Sequence, residues 1–270
     1  MAVRKAKPIT DYHSLNTNYR LHKMSGHSKW STIKRKKGAL DAKRGKVFTK
    51  LNREITVAIK EGGPNPEANT RLKIAIQNAK GANMPKDNID RAIKKASDAD
   101  ADSYFELTYE GYGPHGIAIY VECTTDNQNR TVQNVRHAFT KHGGSLGTNG
   151  SLEFLFERKG NFQIQKPVDF DEDEFTLEVI DGGAEDLEVE EEYVTVTCAF
   201  EDFGKMQKKL DEMNVQVENA ELQREPANRL SLGDEEFVKV MKLIDALEDD
   251  DDVQKVFHNL EITEAQMELI

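Results

Sequence analysis

The sequence has few cysteines and no long apolar run, and each shortage excludes a class of protein. Only 2 of its 270 residues are cysteine, Cys123 and Cys198, and they form no Cys-x-x-Cys pair. This excludes a disulfide-stapled scaffold and the usual structural zinc spacings. No apolar run approaches the roughly 20 residues that a membrane-spanning helix needs. We therefore expect an intracellular protein without a membrane partner, located in the cytoplasm, with an organellar matrix as the alternative.

Groupings that carry catalysis or bind metals are also missing. The histidines form no His-x-x-x-His or His-x-Glu motif, and the acidic run Glu248–Asp252 lacks the alternating ligands and the glycine of a calcium loop. The glycine-rich segment His142–Ser151 follows a predicted helix and lacks the Gly-Lys-Ser/Thr ending of a phosphate loop. We interpret it as a turn, with a backbone contact to nucleic acid as the alternative. Cys123 and Cys198 lie in Val/Thr-flanked strand patterns and are predicted core residues. The sequence thus predicts no enzyme, no metal, no cofactor and no small-molecule substrate.

The charges are unevenly distributed along the chain. Residues 24–100 contain 18 Lys and Arg against 8 Asp and Glu, whereas residues 101–270 contain 14 against 39. A cluster of Lys and Arg attracts a phosphate backbone and releases its counterions, whereas an acidic surface is repelled by it. We predict that the protein binds nucleic acid with its basic part and turns its acidic part away.

The densest cationic cluster lies between residues 34 and 53, where Asp41 is the only acid. The competing interpretation is a solvated helix face, but such a face normally mixes both signs. Trp30, just ahead, either stacks on an unpaired base or anchors the core. Arg130 either contacts nucleic acid or belongs to a segment, Thr125–Arg130, that caps the following helix. The predicted nucleic-acid-binding residues are Lys29, Trp30, Lys34, Arg35, Lys36, Lys37, Lys43, Arg44, Lys46, Lys50, Arg53, Arg71, Lys73 and Arg130.

The basic part is predicted to be helical. A stripe of apolar residues from Phe48 to Ile59 follows helical spacing, and Gly62-Gly63-Pro64 ends that helix. Asn65-Pro66-Glu67 has the N-cap, the first-turn proline and the early acid of a second helix. Pro85 opens a third. Because none of these short helices can bury its stripe alone, we expect a small three-helix bundle.

The acidic part is predicted to combine strands with helices. Residues 116–156 show the pattern strand, helix, strand, with the last strand at Leu152–Phe156. Residues 162–222 follow the order β-α-β-β-α-β of a ferredoxin-like domain, and residues 230–257 supply the strand, helix and strand that the first region lacks. The predicted fold class is α+β in three domains, a three-helix head followed by two ferredoxin-like domains, the second inserted in the first. The predicted boundaries are 1–23 for a disordered basic extension, 24–100 for the head, 101–157 with 228–270 for the discontinuous domain, and 158–227 for the inserted one.

Six segments of the chain together form a specific pattern: Met24–Trp30, Tyr109–Pro114, Thr125–Asn127, Asn129–Thr131, Gly143–Gly147 and Leu243–Asp249. In these segments the chain resembles the YebC/PmpR family, whose mitochondrial relatives activate translation of cytochrome oxidase subunit I. The resemblance runs from Met24 to about Ile262 and implies the same arrangement of a helical head and two α+β domains. Residues 1–23 lie outside the family pattern, and His115 stands where a glycine is common.

Two functional hypotheses follow. The family label implies a DNA-binding regulator of transcription, whereas the mitochondrial relatives imply a ribosome-associated translation factor that binds ribosomal or transfer RNA and relieves stalled peptide synthesis. Recognition of DNA bases needs a helix that presents Arg, Asn or Gln to the base edges. The third predicted helix instead mixes Lys86 and Arg91 with Asp87 and Asp90, which favours recognition of phosphates and shape. A scaffold role through the acidic domains is a third alternative.

Overall fold

A computed structural model of the chain describes residues 41–98 and 103–269. These residues form eight α-helices and eight strands. The helices are α1 (Asp41–Gly62), α2 (Thr70–Gly81), α3 (Lys86–Ser97), α4 (Gln128–Lys141), α5 (Glu172–Asp181), α6 (Phe203–Glu212), α7 (Asp234–Glu248) and α8 (Glu264–Met267). The strands are β1 (Phe105–Tyr112), β2 (Ala118–Thr125), β3 (Ser145–Leu146), β4 (Phe156–Gln165), β5 (Ala184–Val189), β6 (Tyr193–Ala199), β7 (Val217–Pro226) and β8 (Val253–His258).

Helices α1 to α3 form the predicted bundle, called the head below. Leu51, Ile55 and Ile59 of α1 share one core with Leu72 of α2 and Ile89 of α3. The spacing of three and four residues places the α1 side chains on one helix face. Burial of these stripes against one another holds the head together, as the sequence predicted.

Helix α2 begins later than the sequence predicted. Asn65 starts a turn, and the N-cap is Asn69, whose Oδ1 accepts a hydrogen bond from the Leu72 backbone N at 3.0 Å. The Asn69 Nδ2 atom donates to the backbone oxygens of Ala58 at 2.7 Å and Gly63 at 2.8 Å. One buried amide therefore satisfies backbone groups at the end of α1 and at the start of α2, which the exposed Asn65 cannot do.

The first sheet has the strand order β3-β1-β2-β8, and its neighbouring strands are antiparallel. Strand β2 is central and buried on both faces. Ile119 and Val121 point toward the core under α4 and α7, where Phe139 and Ile244 lie. Tyr120 points to the opposite face. Burial on both sides explains why the first half of β2, residues 118–121, is a continuous apolar run rather than an alternating one.

The link between the two sheets differs from the prediction. Glu153–Leu155 form a 3-10 turn instead of a strand of the first domain, and β4 starts at Phe156. Leu152 and Phe156 are buried on the back of the first sheet against Phe257. The apolar spacing that predicted a strand here reflects a buried turn. The predicted strand at residues 230–232 is likewise only an isolated bridge between Leu230 and Leu260.

The second sheet is formed by one continuous segment, residues 156–226, and has the order β5-β6-β4-β7 with antiparallel neighbours. Along the chain its elements run β4-α5-β5-β6-α6-β7, the ferredoxin-like order that the sequence predicted. Phe162, Val196 and Leu210 are fully buried between this sheet and α5 and α6.

The second sheet is inserted in the first domain at one place. Phe156 and Pro226 are partners at the ends of β4 and β7, and the Ala227 backbone N donates to the Leu155 oxygen at 2.8 Å. The chain then returns through α7 and β8 to complete the first sheet. This confirms the predicted fold class, an α+β protein with a helical head and two sheet domains. No helix among the described residues is long and apolar enough to cross a membrane.

Candidate nucleic-acid interface

The predicted binding residues fall into three groups in the structure. The first group, residues 29–37, precedes residue 41 and lies outside the described residues. The second group is Lys43 and Arg44, which occupy the first turns of α1, and only their position in that helix is described. The third group has described side chains and comprises Lys46, Lys50, Arg53, Arg71, Lys73 and Arg130.

Lys46, Lys50 and Arg53 lie on one face of α1, and that face packs against the C-terminal end of α7. The Lys46 Nζ atom lies 3.0 Å from both the backbone oxygen and Oδ1 of Asp249, and Lys50 Nζ lies 2.9 Å from the Glu248 oxygen. The last carbonyls of a helix lack partners within the helix and carry partial negative charge. The two lysines therefore cap α7 and attach the head to the first sheet domain.

Arg53 reaches a buried carboxylate that it shares with Arg130. Asp252 is 2% exposed, and its Oδ1 lies 3.1 Å from Arg53 Nη1 and 2.8 Å from Arg130 Nη2. Thr131 Oγ1 donates to Asp252 Oδ2 at 2.9 Å. Burial by itself raises the pKa of Asp252, but the hydrogen bonds from Arg130 and Thr131 outweigh burial, and the pKa is lowered. Asp252 is thus an ionised centre that joins the head to α4.

Arg130 has a second acidic neighbour, because Nη2 also lies 2.7 Å from Asp126 Oδ1. The preceding Asn127 caps α4, since its Oδ1 accepts from the Arg130 backbone N at 3.1 Å. The capping interpretation of residues 125–130 is therefore confirmed. The Arg130 guanidinium, 44% exposed, is held by two carboxylates rather than presented alone to solvent.

Arg71 and Lys73 of α2 also pair with acids. Arg71 bridges Glu61 of α1, at 2.6 Å, and Glu106 of β1. Lys73 Nζ lies 2.5 Å from Asp211 Oδ2 at the end of α6. These four-tenths-exposed side chains form pairs that contribute roughly 0 to 1 kcal/mol each. They orient the head against both sheet domains but contribute little to the free energy of unfolding.

One contact between the head and the second sheet is uncharged and buried. The Asn78 amide forms two hydrogen bonds with the backbone of Ala220, a buried residue of β7. Next to it, Gly81 approaches Glu218 so closely that a Cβ atom would lie 1.9 Å from the Glu218 backbone oxygen. Sequence patterns missed Asn78, because a polar residue on a helix face gives no local sign of a distant strand.

The glycine-rich loop is held by a buried carboxylate. Glu110 is 2% exposed, and its two oxygens accept hydrogen bonds from the backbone N atoms of Gly150 at 2.7 Å and Leu152 at 2.5 Å. The Gly147 backbone N donates to the backbone carbonyl oxygen of Glu110 at 2.7 Å. These three N–H groups already have an anionic or carbonyl partner, which supports the turn interpretation for the part of the segment after β3, whereas Ser145 and Leu146 pair with β1 as a short strand. The signal for Glu110 was its position within the family-like segment Tyr109–Pro114.

Both cysteines are core residues, as predicted. Cys123 and Cys198 are buried free thiols, and burial raises the pKa of each to about 12. Across residues 41–98 and 103–269, no group of three His, Cys, Asp or Glu side chains is arranged to hold a metal ion.

The charge pattern therefore has two parts. Part of the basic face of α1 packs against the acidic end of α7. The cations at residues 29–37 precede this contact in sequence. The expected separation of a basic head from an acidic body does not hold at Lys46, Lys50 and Arg53 of α1, because carbonyl and carboxylate groups of residues 248–252 contact these three side chains.

Comparison with known proteins gives a consistent match along most of the chain. Residues 28–99 match the TACO1/YebC protein N-terminal domain, and residues 104–260 match the TACO1/YebC second and third domain. A protein of Amoebophilus asiaticus named "Probable transcriptional regulatory protein" is 56% identical over 239 residues, covering 88% of this chain and 98% of that protein. A Bacillus licheniformis protein with the same descriptive name is 53% identical over 239 residues, covering 88% of this chain and 100% of the relative.

A solved structure has the same fold. The crystal structure of a conserved hypothetical protein, Aq1575, from Aquifex aeolicus superposes with a TM-score of 0.76 at 45% sequence identity. The match covers 87% of this chain and 98% of that protein. The family domains account for the helical head and for both sheet domains, and so the chain belongs to the TACO1/YebC family.

Proposed function

We propose that this protein is a non-enzymatic regulator of gene expression that binds nucleic acid through the phosphate backbone. The relatives named probable transcriptional regulatory proteins support the regulatory role. The observation that carries the proposal is the run of cations from Lys29 to Arg44, in which Asp41 is the only acid. A run of one sign is the electrostatic signature of a phosphate-binding surface.

We divide the predicted residues by role. Lys46, Lys50 and Arg53 contact α7 and Asp252, and we assign them to the attachment of the head. Lys29, Lys34, Arg35, Lys36, Lys37, Lys43 and Arg44 precede this attachment in sequence, and we assign them to the nucleic acid. Trp30 lies within the same run and is proposed to stack on a base. Arg71, Lys73 and Arg130 are exposed enough to exchange an acid for a phosphate, and we keep them as secondary contacts.

A charge-reversal experiment tests the proposal. Full-length protein binding to a 20-base-pair DNA duplex should show a log–log salt slope near −5 if about six phosphates are neutralised. Replacing Lys34, Arg35, Lys36 and Lys37 by Glu should abolish binding. A matched control replaces four exposed cations outside the cluster, Arg91, Lys94, Lys205 and Lys208, by Glu. This control changes the net charge of the protein by the same amount. Equal loss in both variants would show that net charge matters and not the cluster, and unchanged binding in the first variant would contradict the proposal.

One observation favours translation as a second candidate. The exposed face of α3 mixes Lys86 and Arg91 with Asp87 and Asp90. The two carboxylates are repelled by a phosphate backbone, so this helix is poorly suited to enter a DNA groove and recognise bases. Recognition of phosphates and shape also suits folded RNA. Competition distinguishes the two candidates. If the target is RNA, intact ribosomes or folded ribosomal RNA should displace the duplex, and a candidate promoter should be preferred over random DNA by less than about 10³. A promoter footprint that survives physiological salt, without ribosome binding, favours transcription.

A further inference from the structure

The second sheet domain carries an open groove between the start of α5 and the end of α6. Its volume is about 430 Å³, which lies within the range of roughly 300 to 1,000 Å³ that ligand pockets have. One wall is formed by the loop at residues 167–171 and the first two turns of α5, and the other by the last turn of α6 with Met213. We call this site the α5–α6 groove.

The base of the groove is apolar. Phe175 belongs to the core of the second sheet domain, and Phe170 and Met213 pack against that core while they also line the groove. The centroids of the Phe170 and Phe175 rings lie 5.2 Å apart. Val168, which lies between two lining residues, is fully exposed. Exposed apolar surface beside a groove of aromatic and thioether side chains is typical of an interaction site.

The rim of the groove is acidic. Five carboxylates and one ammonium group line it, and the ammonium group of Lys209 is already paired with Glu178. This hydrogen bond raises the pKa of Lys209, so the pair stays ionised. The other lining carboxylates are those of Asp169, Asp171, Glu174 and Glu212. Residues 167–192, which supply one wall, contain 13 acids and no Lys or Arg. Like charges at this density repel one another, and a bound cation offsets the repulsion.

The chemistry of the lining decides which ligand fits. The carboxylates repel a phosphate backbone, and among the described residues no group of three His, Cys, Asp or Glu side chains is arranged to hold a metal ion. The Phe170 ring already accepts a cation, because Lys166 Nζ lies 5.2 Å from its centroid. A fitting ligand therefore combines positive charge with an apolar group.

We propose that the α5–α6 groove binds a basic segment of a partner protein, in which an aliphatic or aromatic side chain is flanked by Lys or Arg. Because the groove is open to solvent, a polypeptide chain can cross it. The apolar side chain would contact Phe170 and Met213, and the flanking cations would pair with the carboxylates of the rim.

Charge complementarity is the argument for this occupant. Opposite charges speed the encounter and suppress wrong partners, and a buried apolar anchor supplies most of the affinity. The inference goes beyond the proposed function and does not depend on nucleic-acid binding, since the groove and the cations at residues 29–44 belong to different domains.

The test uses the full-length protein and a fluorescently labelled decapeptide, Gly-Lys-Arg-Lys-Leu-Phe-Lys-Arg-Lys-Gly, with binding followed by anisotropy. Exchanging its Leu-Phe pair for Ser-Ser keeps the charge and should weaken binding about 5- to 50-fold, because the apolar contact is lost. The variant Asp169→Asn/Glu174→Gln should bind the first peptide about 3- to 30-fold more weakly.

A matched control accompanies the groove variant. Asp186→Asn/Glu191→Gln removes the same charge from exposed positions of residues 167–192 that do not line the groove, and its affinity should stay within twofold of the wild type. Circular dichroism and the urea midpoint of each variant establish that the fold is retained.

A positional measurement locates the peptide. Because Cys123 and Cys198 are buried thiols, a Val168→Cys variant can be labelled selectively with a photoreactive maleimide. It should cross-link to the peptide, whereas Glu191→Cys should not.

Three results would overturn the inference. Absence of peptide binding is the first. The second is equal binding of the two peptides, or equal loss in the groove variant and its control, which would mean attraction by general charge. The third is a dimer of the wild type that Asp169→Asn/Glu174→Gln abolishes, which would assign the groove to a second copy of the chain. Reversal of residues 34–37 should leave peptide binding unchanged, and the groove variant should leave duplex binding unchanged, so this inference and the proposed function can fail separately.

Discussion

The side-chain amide of Asn78 pairs with the backbone of Ala220 in the manner of an added strand residue. Asn78 Nδ2 donates to the Ala220 oxygen at 2.9 Å, and the Ala220 N donates to Asn78 Oδ1 at 2.8 Å. Ala220 is 1% exposed, so water cannot easily replace either bond. This pair fixes the position of α2 on the edge of the second sheet.

Replacing Asn78 by Ala should therefore destabilise the protein more than an ordinary surface substitution. Both polar groups of Ala220 would lose their partner, and we expect a loss of about 1 to 3 kcal/mol in the free energy of unfolding. Urea denaturation followed by circular dichroism measures it. Lys80→Ala, at an exposed position of the same helix, should change the midpoint little. Equal midpoints for the two variants would mean that the amide pair does not stabilise the contact.

Two glycines in helices should respond oppositely to alanine. At Gly81 a Cβ atom would lie 1.9 Å from the Glu218 oxygen, whereas at Gly45 of α1 nothing lies within 4 Å. Alanine in an exposed helix is more favourable than glycine by about 0.5 to 1 kcal/mol. Gly45→Ala should stabilise by about that amount, and Gly81→Ala should destabilise because α2 must move away from β7. Thermal unfolding of both variants checks the difference in sign.

Asp252→Asn should weaken the link between the head and α4. The amide keeps the shape of the side chain but leaves Arg53 and Arg130 without their shared charge. We expect a loss of about 2 to 3 kcal/mol at pH 7, less than for a fully buried pair, because Arg130 is 44% exposed. Asp251→Asn, at an exposed neighbour, removes the same charge and should change stability by less than about 0.5 kcal/mol.

The same carboxylate gives this contribution a pH dependence. The pKa of Asp252 is lowered from its ordinary value of 3.8, so the folded state favours the ionised form. The stabilisation is present above that ordinary value and is lost as the pH falls through the lower pKa of the folded state. The difference between wild type and Asp252→Asn should shrink when urea midpoints are measured at pH 3 instead of pH 7. A constant difference would assign the effect to packing.

The attachment of α1 to α7 predicts that substitutions in α1 affect stability, whereas substitutions at residues 34–37 affect nucleic-acid affinity. Lys46→Ala/Lys50→Ala removes the caps of α7 and should speed amide hydrogen exchange in α1, with a loss of about 1 kcal/mol in stability. Its nucleic-acid affinity should fall less than that of Lys34→Ala/Lys37→Ala, which should leave the exchange of α1 unchanged. A larger affinity loss in the first variant would place the binding surface on α1 itself.

The sequence predicted the parts of the fold that depend on local pattern. Helical spacing with glycine and proline stops located α1 and α3, and the alternation of strands and helices located the second sheet. Segment 152–156 was mistaken for a strand, because apolar spacing reports burial and a buried turn gives the same spacing as a short strand. The N-cap of α2 was placed at Asn65 rather than Asn69 because the deciding bonds, to Ala58 and Gly63, belong to the preceding helix.

The candidate site was predictable only in its charge. The cations of α1 stand out in the sequence, but their partners at residues 248–252 follow 198 to 203 residues later in the chain. Asp252 is one acid in a run of five, and nothing in the neighbouring sequence indicates that it is buried.

The insertion of the second sheet between β3 and α7 sets an order of folding during synthesis. Every strand of that sheet lies within residues 156–226, so it can form as soon as this segment has emerged. The first sheet cannot close until β8 has been made, because Val253 pairs with Cys123 across 130 residues. Long-range pairing of this kind is slow, and until it occurs one edge of β2 is unpaired. The inserted domain can therefore fold before β8, the last strand of the first sheet domain, has been synthesised.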